Sequence, residues 1–539
     1  MFGAKLADYL SKHKIEDKVN DALNLALRNL PENPYEEISR VLKLQTAVKL
    51  SLRASPTIVR EGITVRVKTV QGDFKATVPF FDHELEKSQS DPRLIYHDVL
   101  EETKQITLED DLLSSTLDFV NVTLSLRLKH LDPIDQVEIG QVMKIELDKY
   151  APEKESQERH LAERAVLATS MAISRAGASR KKSTLFEHIS DIAERTEEKF
   201  IIPLPLISML VGGTRSSNDL AVSEIISCPG GYKTFTEAFE ASRRLEKSLQ
   251  IISPQQMGRL EGGGFAPFWT RGVDQALSFA HDAIELSKSS DKMFLALDVS
   301  GETFFKQQGN EDEDSAYYDL GLNKRQEDDT KKKSSGDNDD DDDKNKERND
   351  DDDDDDNDDN VRVTKQNPDQ FLETIKDWCK KYGIRVVIDP FVTTVDAMRY
   401  WSALKRSFAE SNITICAKSL LEVPEFKLPA TLKEGRYDAA NFRLTDHVTV
   451  SDAIKAVCAH QTKNVNVVLD QHNTTSCFLA DFGVGLRCKM IRVRGCIGTS
   501  QQSLLERLQS IETDLTGGGG GGSKKKRGGR CKFAGFSEL

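Results

Sequence analysis

Several short apolar runs in this chain stop at a charged residue, and those residues are the ones whose types could do chemistry. Asp298 closes FLALD, Asp470 closes NVVLD, Arg492 sits in MIRV, Arg443 follows ANF and Lys418 follows ICA. Glu261 and Gly262 stand in LEGGGFAP, and Arg215 in GGTRSS. The four cations Arg215, Lys418, Arg443 and Arg492, facing one mouth, would suit a phosphorylated anion, because charge-assisted hydrogen bonds to phosphate are strong. The plainer reading, internal pairing of these cations with Asp298, Asp470 and Glu261, is the preferred one. Arginine stays protonated at any accessible pH, so Arg443 cannot serve as a general base. His83 and His472 read as surface histidines rather than ligands.

The elements that must position these charges follow from the hydropathy pattern. From residue 200 onward, β-branched apolar runs at 293–299, 384–388, 413–416, 441–444, 464–469 and 490–493 alternate with helical stretches such as 370–381, 395–408 and 450–460. Alternation of this kind predicts a β/α barrel with a parallel core, whose working residues sit at the carboxyl ends of strands. Upstream, 63–70 and 73–78 read as a hairpin around Gln71-Gly72. At the amino end, Ile15, Val19, Ala22, Leu23, Ala26, Leu27 and Leu30 form one stripe of an amphipathic helix. Pro31 ends it. Asn33, Pro34 and Glu36 then have the spacing of a capping box opening a second helix, with Ile38, Val41 and Leu42 on one face. Two short helices cannot bury such a stripe alone, so this module must dimerise or dock.

Composition narrows the class further. The net charge of −14 is almost entirely local, since 337–360 holds 16 acidic and 3 basic residues and leaves about −1 for the rest. A block this dense repels itself and buries nothing, so it reads as a solvated loop insertion, ahead of a calcium buffer or a tether for a basic partner. The only basic cluster, 524–530, lies in a Gly-rich tail, which gives no footprint for nucleic acid. No apolar run approaches the roughly 18 residues of a membrane span, and residues 1–9 lack the apolar centre of a secretory signal. Eight cysteines without CxxC pairs suit free thiols and a cytoplasmic address.

Longer segments resemble the enolase family. FIIPLPLISMLVGGTRSSNDLAVSEIISCP at 200–229 is similar to its Pro-x-Pro and Gly-Gly-Ser-His-Ala-Gly segment. SPTIVREGITVRVKTVQGDFKATVPF resembles its opening sheet, HLAERAVLATSMAISRAGA its Gly-Ala-Asn-Ala helix, and CKFAGF its ending. The resemblance implies the α/β class: an enolase-type β/α barrel preceded by an α+β N-terminal capping domain and a short helical N-terminal module. The expected boundaries are 1–46 for the helical module and 47–198 for the capping domain. The barrel would run over 199–515 with a disordered acidic insertion at 325–362, followed by a Gly/Lys-rich tail at 516–539.

The family's chemistry needs three carboxylates on magnesium, a lysine base and a glutamate acid, and the matching positions here carry other residues. Asp298 keeps the first metal ligand, while Ile388 and Lys418 replace the other two; Lys418 is expected to pair with Asp298. Asp389, next to Ile388, points to the opposite face of its strand and cannot simply substitute. Gly262 takes the acid position, with Glu261 one residue earlier, and Arg443 takes the base position. Arg215 replaces the substrate-loop histidine, Leu469 and Asp470 replace a His-Arg pair, and Arg492 replaces the substrate lysine. Phe80, Phe81, Asp82 and His83 stand in the family's mobile Ser-Gly-Ala-Ser loop. These departures imply a pseudoenolase acting as a structural or scaffold protein that needs no cofactor.

Two alternatives stand beside that reading. One is a working phosphopyruvate hydratase, converting 2-phosphoglycerate to phosphoenolpyruvate with magnesium. The other is a sensor of a phosphorylated anion. The pattern YLSKHKIEDKVNDALNLALRNLPENPYEEISRVL in 1–46 resembles the RIIa/Dpy-30 dimerisation-and-docking motif, which receives an amphipathic helix from a protein partner. Together the resemblances imply a homodimer without nucleic-acid or membrane partners, placed in the cytoplasm and at the axoneme of cilia or flagella.

Overall fold

The computed structural model describes residues 50–56, 62–80, 110–154, 156–195, 198–213, 216, 218, 220–254, 257–259, 264–268, 272–307, 316–321, 365–418, 436–471, 476–517 and 531–536. The expected helical module at 1–46, the acidic insertion, the basic stretch of the tail, Arg215, Glu261, Gly262, His83 and His472 lie outside these residues. The chain divides into two compact units, one of residues 1–200, 443–459 and 471–487 and one of 201–442, 460–470 and 488–539. The second half of the sequence is therefore shared between the units rather than folded as one continuous block.

In the first unit, β1 (Ser51–Pro56), β2 (Gly62–Thr69) and β3 (Gly72–Pro79) make an antiparallel sheet in that order. Period-2 alternation decides its faces: Ile63, Val65 and Val67 are fully buried while Arg66 and Lys68 are exposed. Thr69 pairs with Gly72, so the hairpin turns on Val70 and Gln71. Gly72 has φ +144°, a conformation that L side chains rarely adopt. The expected hairpin is present, with its turn one residue earlier. Against β2 and β3 packs α1 (Gln157–Arg180), whose Ser156 side chain caps it by accepting from Arg159 N at 3.1 Å. Next comes α2 (Leu185–Ile192), opened by a complete capping box between Thr184 and Glu187.

The second unit is a closed eight-stranded barrel. Its strands are β4 (Leu204–Val211), β5 (Glu224–Cys228), β6 (Phe294–Asp298), β7 (Ile384–Ile388), β8 (Thr414–Ala417), β9 (Ala439–Phe442), β10 (Asn466–Asp470) and β11 (Met490–Val493). They pair in sequence, and β11 closes back onto β4. The expected parallel core is present, with one strand reversed: β5 runs antiparallel to both β4 and β6. Alternation sets the inner layer, where Leu204, Leu206, Ile226, Cys228, Ala296, Val386, Ile388, Cys416, Ala439, Val468 and Met490 pack together with Ala534.

Outside the barrel lie helices whose ends the sequence marks clearly. Before α3 (Phe235–Ile252), Thr234 is the N-cap, and α4 (Pro368–Tyr382) has Asn367 as N-cap, Pro368 at its first position and Gly383 in the left-handed region after it. Within α5 (Thr499–Thr516), Glu512 reaches the first turn of α3. Its carboxylate accepts from Phe235 N at 2.6 Å, Thr236 N at 2.9 Å and Thr236 Oγ1 at 2.8 Å. Removing a buried anion that satisfies helix N-terminal donors leaves them desolvated, so Glu512→Ala is expected to cost about 3 kcal/mol in chemical denaturation. A loss below about 1 kcal/mol would mean that solvent replaces the carboxylate there. The segment after α5 returns at Cys531–Phe533, where Ala534 N donates to Ile202 O at 2.9 Å and the Phe536 ring lies against Gly230.

Candidate functional site

The same alternation that fills the lower barrel with apolar side chains brings polar ones inward at its other end. Asp298 is two residues beyond Ala296, Asp470 two beyond Val468, Arg492 two beyond Met490 and Glu224 two before Ile226, and each of those neighbours faces the barrel interior. Because β5 is antiparallel, its first residue, Glu224, sits level with Asp298, the last residue of β6. Across β7, Ile388 is in register with Asp298, and Asp470 is in register with Arg492. Ile388 is an apolar member of this otherwise polar layer.

Arg492 is the centre of the arrangement. It has no exposed surface, and Asp298, Glu224 and Asp470 are no more than 3% exposed. Its Nη2 lies 2.5 Å from Asp298 Oδ2 and 3.0 Å from Glu224 Oε2, and its Nη1 is 3.9 Å from Asp470 Oδ2. Burial alone would push protons off this guanidinium; the charges of Glu224, Asp298 and Asp470 outweigh it and raise its pKa far above the ordinary arginine value. A second arginine, Arg494, is 3.7 Å from Glu224 Oε1. Neutral donors complete the layer: Ser300 Oγ donates to Asp298 at 2.9 Å, Ser208 Oγ to Glu224, and Asn441 Nδ2 to Asp470 at 3.3 Å.

Two non-glycine residues at these strand ends, Ser300 (φ 46°) and Asp389 (φ 45°), occupy the left-handed region. Such residues cost on the order of 1–3 kcal/mol each and persist where surrounding structure over-determines them. Asp389 is buried and accepts from Lys418 N at 2.6 Å, which ties the end of β8 to that of β7. Its charge adds to burial in raising the pKa of Cys416. All eight cysteines are free thiols.

The residues marked in the sequence are therefore distributed as follows. Asp298, Asp470 and Arg492 meet, and Ile388 lies beside Asp298. Lys418 was the expected partner of Asp298; the ion pair found there is with Arg492, whose forked head reaches across from β11. Arg443 belongs to the other unit and pairs with Asp446 at 3.2 Å. Glu224, Ser208, Asn441 and Arg494 were passed over in the sequence. Glu224 did leave a signal, a lone carboxylate opening the apolar run EIISC, but an antiparallel strand offers its start rather than its end to this layer.

Among the described residues, this charged layer does not fit a magnesium ion. The side chain in register with Asp298 is the hydrocarbon of Ile388, and the carboxylate oxygens that could ligate are turned toward a guanidinium. Among the described residues, the group with three donors within 4.8 Å of one another is the exposed His281, Asp282 and Glu285, which lie on the helix Val273–Leu286 and not on a barrel strand. Also among the described residues, no helix is long and apolar enough to cross a membrane.

Comparison with known proteins agrees with this architecture. Residues 199–342 match the family model for the C-terminal TIM barrel domain of enolase. The chain is similar to cytosolic enolase 3 of Arabidopsis thaliana, 25% identical over 519 residues that cover 94% of this chain and 96% of the relative. It is also similar to an enolase of Eimeria tenella, 23% identical over 502 residues, covering 92% and 98% respectively.

Proposed function

Since this chain has the enolase fold, we propose that it is a non-catalytic user of that fold, a structural scaffold rather than a phosphopyruvate hydratase. One observation carries the reading: the buried guanidinium of Arg492 occupies the charged layer in which an enolase would have to assemble metal and substrate. A hydratase also needs a base that can lose its proton, and Arg443 cannot. Asp298 is spoken for by Arg492, and Ile388 offers no lone pair at all.

The scaffold role has two further parts. Residues 1–46 serve as a dimerisation and docking module for an amphipathic helix of a protein partner, and the barrel protein works as a homodimer. Its place is the axoneme of a cilium or flagellum. What supports these parts is the amphipathic stripe with its Pro-Glu-Asn-Pro turn and the resemblance of that segment to docking motifs.

The decisive experiment is a coupled assay for 2-phosphoglycerate dehydration by the full-length protein, with magnesium and with EDTA. The expected result is no difference between the two. Magnesium-dependent turnover near ordinary enzyme rates, about 10 per second, would overturn the reading.

A further inference from the structure

We propose that Arg492, assisted by Arg494, is a built-in counter-cation that takes the place of a divalent ion, so that the barrel is closed to magnesium by its own side chain and not merely short of ligands. The inference rests on the non-catalytic reading above and goes further: it names what fills the site and predicts when a metal could enter.

The charge balance comes first. Glu224, Asp298 and Asp470 would bring three negative charges into a layer that is no more than 3% exposed. Arg492 and Arg494 bring two positive charges, the charge of one divalent cation, and both lie within 4 Å of these carboxylates. Without such compensation, buried carboxylates would be driven to neutralise or the layer to open.

Geometry comes second. A metal ion draws oxygens inward to about 2.0–2.6 Å from one point. A guanidinium instead spreads its acceptors around a planar fork. The carboxylates here follow the fork, with Asp298 and Glu224 at one terminal nitrogen and Asp470 facing the other. They do not bring three donors within 4.8 Å of each other.

Position comes third. Arg492 and Arg494 stand two residues apart and approach the same carboxylate, Glu224, at its two oxygens. The strand that closes the barrel is thus the source of both cations.

The test is thermal melting of the full-length protein and two variants, Arg492→Met and Arg492→Lys, in EDTA and in millimolar Mg2+ or Mn2+. A ligand that binds only the folded state raises Tm by mass action. Cations collected by the acidic segment 337–360 are common to all three proteins and cancel in the comparison. The wild-type protein is expected to show no metal-dependent shift. Arg492→Met, which keeps an unbranched apolar stem but removes the charged head, is expected to melt several degrees lower in EDTA and to recover part of that loss with metal. Arg492→Lys, which keeps a cation but loses the fork and restores the residue type expected in the resembled family, is expected to gain more from metal than the wild-type protein and less than Arg492→Met. A wild-type Tm that rises by more than about 2 °C with metal overturns the proposal, as does an Arg492→Met variant that folds and gains nothing. Should Arg492→Met fail to fold, the wild-type and Arg492→Lys curves decide. Catalytic turnover would count against the non-catalytic reading alone, because these melts do not involve substrate.

Discussion

Asp298→Ala is expected to lower stability by about 3–5 kcal/mol when unfolding is followed by denaturant titration in EDTA, the range for breaking one side of a buried ion pair. The reasoning turns on what Asp298 does at present. If it were a vacant metal ligand among other carboxylates, deleting it without metal would relieve like-charge repulsion and cost little. In the structure it is instead the nearest acceptor of a fully buried guanidinium, at 2.5 Å, with Ser300 on its other oxygen. Removing it leaves Arg492 with Glu224 at 3.0 Å and Asp470 at 3.9 Å, and leaves the Ser300 hydroxyl without its acceptor. Asp298→Asn should fall between, keeping a hydrogen-bond acceptor but losing the charge. A double-mutant cycle with Arg492→Met isolates the pair, since residues in direct contact couple by about 0.5–3 kcal/mol. A loss below about 1 kcal/mol for Asp298→Ala in EDTA would show that Arg492 does not depend on it.

How much of this was legible beforehand follows from what each kind of pattern can encode. The apolar runs near β6, β7, β8, β9, β10 and β11 were readable, because a buried parallel strand is a continuous hydrophobic stretch bounded by turns. The helix at 368–382 was readable through Asn367, Pro368 and the apolar stripe that follows. Strand direction was not: EIISC looks the same whether it runs up or down the barrel, and only its pairing with β4 and β6 decides it. That hidden reversal is why Glu224 went unnoticed although Asp298, its register partner, stood out.

Ion pairing was legible in kind, since the expected internal pairing of Arg492 with Asp298 and Asp470 is present, but not in its full set of partners. Hydropathy says that Arg492 lies within an apolar strand, but which carboxylate it meets depends on barrel closure, which brings β11 next to β4 and within reach of β5 and β6. The expectation that Lys418 would pair with Asp298 came from placing both at metal-ligand positions of the resembled family. Arginine reaches further and presents several donors in a fixed plane, so it can serve three carboxylates from across the barrel. The loss of a catalytic residue type is thus visible in one dimension, whereas its replacement by a new interaction requires the closed sheet.

His188 gives the second large effect, this time on pH. It lies on α2 with no exposed surface, and neither ring nitrogen has a hydrogen-bond partner among the described residues. A methyl group added at Gly177 of α1 would come within 2.7 Å of its Nε2, so the ring is packed tightly against that helix. Burial, reinforced by the nearby charge of Lys181 and partly offset by Asp191, pulls its pKa from 6.5 down to about 4. The folded protein therefore keeps His188 neutral between pH 6.5 and 4, while the unfolded chain takes up a proton. Stability from this group is complete above pH 6.5 and drains away as pH falls, by about 3 kcal/mol in all and roughly half of that between pH 6.5 and 5. Carboxylates dominate below pH 5, so the upper half of the window is the one to measure. His188→Leu removes the titrating group while keeping an apolar side chain in the same space. The expected result is a flatter stability profile for the variant between pH 6.5 and 5, with the wild-type protein losing ground relative to it as the pH drops. Parallel profiles across that range would mean that His188 takes its proton in the folded state as readily as in the unfolded one, through an opening of α2 against α1.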